Sequence, residues 1–197
     1  MNGVLLVPGD ILLTASPGWL GKTIRKAERG PGEEESFASH AGLIVRGGYV
    51  LEALVSEAVG RGVSVRTLHG YMAEGTPVRI VRPLNISGRE LDTIIDAALD
   101  VSDRGTRYGF GQLVLHLGDA LLSRGRGREV VFFRKAIDSK KFTTCARHVA
   151  QSYRAAGFDF GVPADLCTPD HIDDYATAHP ERYLEVWPWS PLSTTAR

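Results

Sequence analysis

One cysteine of the chain stands where a nucleophilic thiolate is favoured. Cys145 follows Thr143-Thr144, which predicts the start of a helix that ends near Gly157. In the first turn of a helix, unpaired backbone N–H groups and the positive end of the helix dipole stabilise a thiolate relative to a thiol. Because the thiolate is the reactive form, Cys145 is a candidate nucleophile, although most cysteines of cytosolic domains are small buried hydrophobes.

A nucleophilic cysteine needs a base, and His40 is the candidate. His40 opens the apolar run Ala41–Val45, which predicts a strand, and Gly42 leaves space beside the imidazole for another chain segment. A histidine at the mouth of a strand can face the N-terminus of a helix that packs on the sheet. Paired with Cys145, His40 would accept the thiol proton; without that partner it is a half-exposed residue at the end of a strand.

The third candidate is a carboxylate that orients the histidine. Glu52 lies within the otherwise apolar run Val50–Leu54, which also predicts a strand. A carboxylate buried in such a strand costs several kcal/mol unless it is paired. The neighbouring strand offers His40 as the partner, so the sequence predicts Glu52 as the orienting residue.

The turn between these two strands decides whether Glu52 and His40 share a face. Side chains alternate between the faces of a sheet, and paired residues share one face. A two-residue glycine turn would leave Glu52 on the face opposite His40. A three-residue loop, Arg46–Gly48, would pair Gly42 with Glu52 and place Glu52 on the face of His40. A site that contains Cys145, His40 and Glu52 therefore requires the longer loop, or a bulge with the same effect.

The elements that must carry these residues form a mixed pattern of strands and helices. Apolar and alternating runs predict strands at Asp10–Thr14, His40–Val45, Tyr49–Val55, Val63–Leu68 and Pro77–Arg82. Periodicity and capping residues predict helices at Ser16–Glu28, from Ser87 past Leu99, at Phe110–Leu122, at Thr143–Gly157 and from Thr168. The tail Trp187–Pro191 is predicted to be irregular. The sum predicts a single α+β domain over residues 1–197, with a small antiparallel sheet or partial barrel and helices packed on one side.

Composition and charge narrow the range of partners. The 197 residues include 23 Lys plus Arg, 23 Asp plus Glu and two cysteines. A balanced charge offers no field for nucleic acid, and two cysteines are too few for a disulfide framework. No secretory signal is recognised, and no apolar run approaches the roughly 20 residues of a transmembrane helix. We therefore expect a cytoplasmic protein without a nucleic-acid partner, with release by lysis or in a virion left open.

Several short segments carry a family resemblance across nearly the whole chain. They are Pro8-Gly-Asp-Ile-Leu12, Ser39-His-Ala-Gly-Leu-Ile-Val45, Val50-Leu-Glu-Ala53, Tyr108-Gly-Phe-Gly111, Cys145-Ala-Arg-His-Val149 and Thr168-Pro-Asp170. Together they resemble the circularly permuted papain-like cysteine hydrolases of bacteria, the YiiX-like branch of the NlpC superfamily, which is related to lecithin:retinol acyltransferase. In that family the histidine precedes the cysteine along the chain, as His40 precedes Cys145 here.

The resemblance implies a thiol-dependent hydrolase or acyltransferase with Cys145 as nucleophile, His40 as base and Glu52 as the third polar residue. Its reaction would cleave an amide (peptide or isopeptide), ester or thioester bond through a covalent acyl-enzyme, without a cofactor. A peptide, a peptidoglycan-derived molecule or a lipid acyl group would be the substrate. Ala146-Arg147 stand where the family is expected to carry Ser-Glu, which leaves the substrate open.

Further residues are expected to complete such a site. The backbone N–H of Cys145 is a candidate oxyanion donor because it lies at the helix start, whereas the sequence assigns no second donor. Tyr108 and Gln112 are candidates for lining the substrate cleft, although a tyrosine beside glycines also suits packing.

Two other interpretations fit the same residues. Cys145, His148, Cys167 and His171 form a C-x2-H and a C-x3-H pair, a ligand set that zinc accepts, although neither pair has a glycine-rich knuckle. The second is a catalytically inactive papain-like domain that serves as a binding or virion component, because a fold does not guarantee its chemistry.

Overall fold

The computed structural model describes residues 4–16, 18, 21–22, 25, 37–49, 53–59, 62–104, 107–108 and 142–191. Its strands are β1 (Leu5–Leu6), β2 (Ile11–Thr14), β3 (His40–Arg46), β4 (Gly48–Tyr49), β5 (Leu54–Val59), β6 (Gly62–Thr67), β7 (Pro77–Pro83), β8 (Arg107–Tyr108), β9 (Phe142–Thr143) and β10 (Tyr183–Pro191). Its helices are α1 (His69–Glu74), α2 (Gly88–Asp103), α3 (Cys145–Ala155) and α4 (Pro169–Ala178), with a 3-10 turn at Ala164–Leu166.

A six-stranded antiparallel sheet organises these elements, in the order β10-β7-β2-β3-β5-β6. All four residues of β2 are buried, because both faces of this central strand are covered. Leu13 and Leu43 point to the face on which α2 and α3 pack, whereas Leu12 and Ile44 point to the opposite face. The predicted mixture of strands and helices, with an open antiparallel sheet and helices on one side, is confirmed.

The caps of α2 and α3 follow the predicted sequence signals. The Ser87 N–H donates to the Glu90 carboxylate at 2.8 Å, and the Glu90 N–H donates to the Ser87 hydroxyl at 3.3 Å, which is a capping box. Thr144 is the N-cap of α3, where its side chain accepts a hydrogen bond from the Arg147 N–H. Gly157 follows α3 with a φ of +86°, a conformation that favours glycine. The cap at Thr144 makes Cys145 the first helical residue.

The predicted antiparallel pairing of the His40 strand with a strand that includes Val55 is present, but the predicted bounds Tyr49–Val55 and the tight turn are wrong. The structure divides that segment between β4, which pairs with β1, and β5, which pairs with β3 and sets Leu43 opposite Ser56. A close approach of β1 accounts for the division, since a Cβ on Gly47 would lie only 2.6 Å from the Leu6 carbonyl oxygen. The chain between β3 and β5 thus contributes to a second small sheet instead of turning back at once.

The tail Trp187–Pro191, predicted to be irregular, is part of β10. This strand pairs with β7 at the edge of the sheet, from Tyr183 opposite Pro83 to Pro191 opposite Pro77. Its register shifts on both sides of Trp187, which indicates bulges. An edge strand with bulges tolerates prolines because one side of its backbone needs no partner strand, so the proline-based prediction was misleading.

Some predicted segments lie outside the described residues. They include most of the helix Ser16–Glu28, all of the helix Phe110–Leu122, and the candidates Glu52 and Gln112. Within the described ranges, no helix combines the length and the apolar character needed to cross a bilayer.

Candidate active site

The N-terminus of α3 meets the start of β3 and brings Cys145 next to His40. Each is the first residue of its element. The Cys145 thiol and the His40 imidazole lie close enough to shift each other's pKa, and the backbone N–H groups of Ala41 and Ala146 also lower the pKa of the thiol. Only 6% of Cys145 and 13% of the His40 side chain are exposed. The residues predicted as nucleophile and base therefore lie together.

The other side of the His40 ring is held by Glu57 of β5. His40 Nε2 lies 2.6 Å from Glu57 Oε2, and the Glu57 side chain is fully buried. Tyr71 of α1 donates its hydroxyl to this carboxylate, and Arg66 of β6 forms an ion pair with it. Arg66 also donates to the Tyr71 hydroxyl at 3.0 Å and lies 5.0 Å from the centre of its ring. Both carboxylate oxygens are thus paired, as a buried charge requires.

Among the described residues, the carboxylate beside His40 is that of Glu57, whereas the predicted Glu52 lies outside them. The predicted pairing of Gly42 with Glu52 is wrong because the β3–β5 register sets Leu43 opposite Ser56. A Cβ on Gly42 would lie 3.4 Å from the Glu57 Cβ, so this glycine leaves room for the strand that carries the glutamate. The expectation that Gly42 admits a second chain segment beside His40 is confirmed.

A sequence signal for Glu57 existed. Glu57 lies in the run Leu54–Val59, and the rule that a carboxylate in a buried strand needs a partner applies to it as well as to Glu52. Because Ser56 interrupts the apolar run Leu54–Val59, the segment around Glu52 matches the pattern of a buried strand better than the segment around Glu57 does. Arg66 and Tyr71 carry no comparable signal, since their spacing along the chain does not indicate a shared partner.

The three central groups shift one another's pKa values. Burial alone would lower the pKa of His40, but the charges and hydrogen bonds of Cys145 and Glu57 outweigh it and raise this pKa to about 10. Burial would raise the pKa of Cys145, yet the His40 imidazolium and the two backbone N–H groups lower it below the usual value. Burial also opposes ionisation of Glu57, but His40, Tyr71 and Arg66 lower its pKa to about 2. These shifts favour ionisation of the Cys145 thiol and protonation of the His40 imidazole.

The resulting site is a line of alternating charges. Arg66 is positive and Glu57 negative, and when the pair is ionised His40 is positive and Cys145 negative, so that each buried charge has an opposite neighbour. Because Glu57 occupies Nε2 of His40, Nδ1 is the nitrogen left to exchange a proton with the thiol. This arrangement can supply a nucleophile and a proton carrier.

A second histidine lies close to this line but differs in its partner. Nε2 of His148, on α3, lies 2.9 Å from the hydroxyl oxygen of Ser56, and both residues are fully buried. Burial, aided by the charge of His40 and opposed by that of Glu57, lowers the pKa of His148 to about 4. His148 is therefore neutral near pH 7.

The four residues of the zinc interpretation do not form a metal site. Cys145 pairs with His40, His148 with Ser56, and Nδ1 of His171 lies 2.8 Å from the Thr168 hydroxyl, as part of the cap of α4. In the portion of the chain that the structure describes, no group of three or more His, Cys, Asp or Glu side chains could hold a metal ion. The donor sets present there do not fit a metal.

Tyr108, one of the two candidates for lining the cleft, belongs to a strand that pairs with the segment just before Cys145. β8 pairs in parallel with β9, with Tyr108 opposite Thr143, two residues before Cys145. Gln112 lies outside the described residues. A cavity of about 780 Å³ lies towards the other end of α3, between Ala150, Arg154 and residues 157–164, and Cys145 does not line it.

Comparison with solved structures finds proteins of similar fold. The structure is similar to the crystal structure of the metalloprotein YiiX from Escherichia coli O157:H7, with a TM-score of 0.57 and 17% sequence identity, over 94% of this chain and 98% of YiiX. No family model matches the sequence, and no curated protein matches it. The chain thus has a YiiX-like fold, as its motifs predicted, and the similarity at this identity concerns the fold alone.

Proposed function

We propose that the protein is a thiol-dependent hydrolase or acyltransferase of the papain-like kind, with Cys145 as nucleophile, His40 as base and Glu57 as the orienting carboxylate. The observation that carries the proposal is the continuous chain from Glu57 through the His40 imidazole to a thiol at a helix start. A small buried hydrophobic cysteine needs neither a histidine nor a carboxylate behind that histidine. The YiiX-like fold agrees with the proposal.

The reaction follows from the geometry of the pair. The Cys145 thiolate attacks the carbonyl carbon of an amide, ester or thioester, and His40 gives its Nδ1 proton to the leaving group as the bond to the carbonyl breaks. Water or another acceptor then loses a proton to His40, attacks the thioester and releases the acyl group from sulfur. Glu57 keeps Nε2 protonated and stabilises the imidazolium. The acceptor in the second half decides between hydrolysis and acyl transfer.

The substrate class follows from this chemistry. An acyl-enzyme of this kind serves amides, which include peptide, isopeptide and peptidoglycan-derived bonds, and lipid acyl esters. A donor for the oxyanion is the backbone N–H of Cys145 in the first turn of α3. The reaction needs no cofactor.

The test is the rate of iodoacetamide alkylation at Cys145 between pH 5 and 9, read by mass spectrometry on the full chain. Cys167 is a matched internal control, because it is 5% exposed against 6% for Cys145. A free thiol with a pKa of about 8.5 is roughly 0.3% ionised at pH 6, and a thiolate of low pKa is also a weaker nucleophile, so the expected advantage of Cys145 at that pH is about tenfold.

A His40→Ala variant should lose that advantage, whereas His179→Ala should keep it. Equal profiles for the two cysteines, or a Cys145 profile unchanged in His40→Ala, would contradict the enzyme proposal and favour an inactive papain-like binding module.

A further inference from the structure

A buried hydrogen bond joins the helix that carries Cys145 to the strand that carries Glu57. His148 lies three residues after Cys145 on α3, and Ser56 directly precedes Glu57 on β5. The Ser56 hydroxyl oxygen and His148 Nε2 are 2.9 Å apart, and both side chains are fully shielded from solvent. The bond therefore crosses between the two elements at the level of the candidate site.

We propose that Ser56 and His148 are positioning residues, whose hydrogen bond holds α3 in the one placement that keeps the Cys145 thiol against the His40 imidazole. This inference rests on the proposed function, because it concerns how the pair of reactive groups is kept in contact. Neither residue contacts the reacting atoms, so both act through Cys145, His40 and Glu57.

Besides the contacts of Cys145 with β3 and a hydrogen bond from the Tyr153 hydroxyl to the Gly9 carbonyl oxygen further along the helix, much of the contact between α3 and the sheet is apolar. Ala146, Val149 and Ala150 of α3 share one core cluster with Ala41 and Leu43 of β3. Apolar packing is strong but non-directional, and small side chains allow a helix to shift along a sheet. A hydrogen bond weakens steeply with distance and angle, so a single buried one selects a particular placement of the helix.

His148 suits this role because it stays neutral. Its partner is a hydroxyl, and its Nδ1 has no hydrogen-bond partner in the described part of the chain. Since the pKa of His148 is about 4, the residue adds no second positive charge beside His40 near pH 7 and does not take the thiol proton. The role that remains for His148 is to position α3.

The test compares four variants by the pH profile of Cys145 alkylation and by thermal unfolding. His148→Leu and Ser56→Ala remove the bond, whereas His148→Gln keeps an amide group that can hydrogen-bond to the Ser56 hydroxyl. Ser152→Ala is the matched control, because the Ser152 hydroxyl is equally buried on α3 and donates to the His148 carbonyl oxygen at 2.9 Å within the same helix.

We expect the midpoint of the Cys145 profile to rise by about one pH unit in His148→Leu and Ser56→Ala, to return near wild type in His148→Gln, and to stay unchanged in Ser152→Ala. Should His148→Leu fail to fold, Ser56→Ala, which removes one oxygen atom, carries the test. Variants that lose thermal stability but keep the wild-type midpoint would overturn the positioning role alone. A wild-type profile that does not depend on His40 would overturn the proposed function, and this inference with it.

Discussion

The surroundings of His40 and His148 show what sets the charge of a histidine in this protein. His40 stands at the start of β3 with a carboxylate and a thiol as partners, and its pKa is raised to about 10. His148 stands in the first turns of α3 with a hydroxyl as partner, and its pKa is lowered to about 4. The two rings belong to the same small region, since Ser56 and Glu57 are consecutive residues of β5.

Burial does not explain the difference, because it lowers the pKa of both histidines. The partners explain it: an anion favours the imidazolium, and a hydroxyl favours neither form strongly. Alternation along β5 aims Glu57 at one histidine and Ser56 at the other, on opposite faces of the strand. One strand thus separates a histidine that favours its charged form from one that favours its neutral form.

The largest expected effect is to lower the pKa of His40 below its usual value, as the pKa of His148 is lowered. In the double variant Cys145→Ser with Glu57→Gln, only burial acts on His40, so its pKa should fall from about 10 to below 6.5. NMR titration of the imidazole protons measures this value. Each single change should lower the pKa of His40 partly, and Cys145→Ser more than Glu57→Gln, in line with the order of their contributions.

The control for that experiment is Cys167→Ser with Glu185→Gln, which removes an equally buried thiol and a carboxylate paired with Arg79 at the edge of the sheet. It should leave the pKa of His40 in place. A His40 pKa that stays above 6.5 in the site double variant would show that another group supports the imidazolium.

The next effect is an acid-dependent loss of stability caused by His148. Its pKa is about 4 in the folded chain and about 6.5 in an unfolded one, so only the unfolded chain gains a proton between these values. The stabilisation present above pH 6.5 is therefore lost as the pH falls to about 4, by about 3 kcal/mol in total, and by about 2 kcal/mol at pH 5. Urea unfolding at pH 7 and pH 5 measures it.

The charged groups that act on His148 are Glu57 of β5 and His40 of β3. These two contributions change little between pH 5 and 6.5: that of Glu57 is lost only below about 4.5, and that of His40 only as the pH rises above about 6.5. The lowered pKa of Cys145 adds a further loss of stability as the pH falls, because the unfolded thiol keeps a proton that the folded thiolate lacks. His148→Gln should therefore reduce the pH dependence by the part that belongs to His148, and His179→Gln should not. An unchanged slope in His148→Gln would assign the acid sensitivity to another residue.

The smallest expected effect comes from Tyr71, which donates a hydrogen bond to the Glu57 carboxylate. Tyr71→Phe removes a hydrogen bond to a buried carboxylate, which costs about 1.5–3 kcal/mol of unfolding free energy. Because the bond lowers the pKa of Glu57, its contribution is present above about pH 4.5 and lost as the pH falls towards 2. Chemical denaturation of the variant and wild type across this range measures both features.

Tyr153→Phe is the control, since the buried Tyr153 hydroxyl donates to the neutral carbonyl oxygen of Gly9. Its loss should cost less, and its cost should not fade below pH 4.5. Equal pH dependence in the two variants would argue that Tyr71 does not support the charge of Glu57.

Local patterns of the sequence predicted the elements that rest on local physics. The capping residues Thr144 and Ser87 marked the starts of α3 and α2, and the apolar run after His40 marked β3. These signals act within a few residues, so tertiary contacts do not overrule them. They placed His40 and Cys145 at the ends of their elements, and the structure brings the two together; their catalytic roles stay a proposal.

The pairing of strands was not readable in the same way. The sequence places Glu52 and Glu57 five residues apart, both in apolar surroundings, and local rules favoured the first. Close to Gly47 the chain meets β1, and β4 pairs with that strand. The strand that pairs with β3 therefore begins later in the chain, with Ser56 opposite Leu43. Register depends on contacts with distant segments, and a small shift along the chain changes which side chain faces which partner.

By itself, then, the sequence determined that this chain has a helix-start cysteine, a strand-start histidine and a need for a buried carboxylate. Helix starts and strand runs are set by neighbouring residues and their backbone preferences. Only the tertiary structure decided which glutamate meets His40, that Arg66 and Tyr71 stand behind it, and that His148 stays neutral. Those outcomes depend on partners that are far apart in the chain, and the charge of a buried group is a property of its partners.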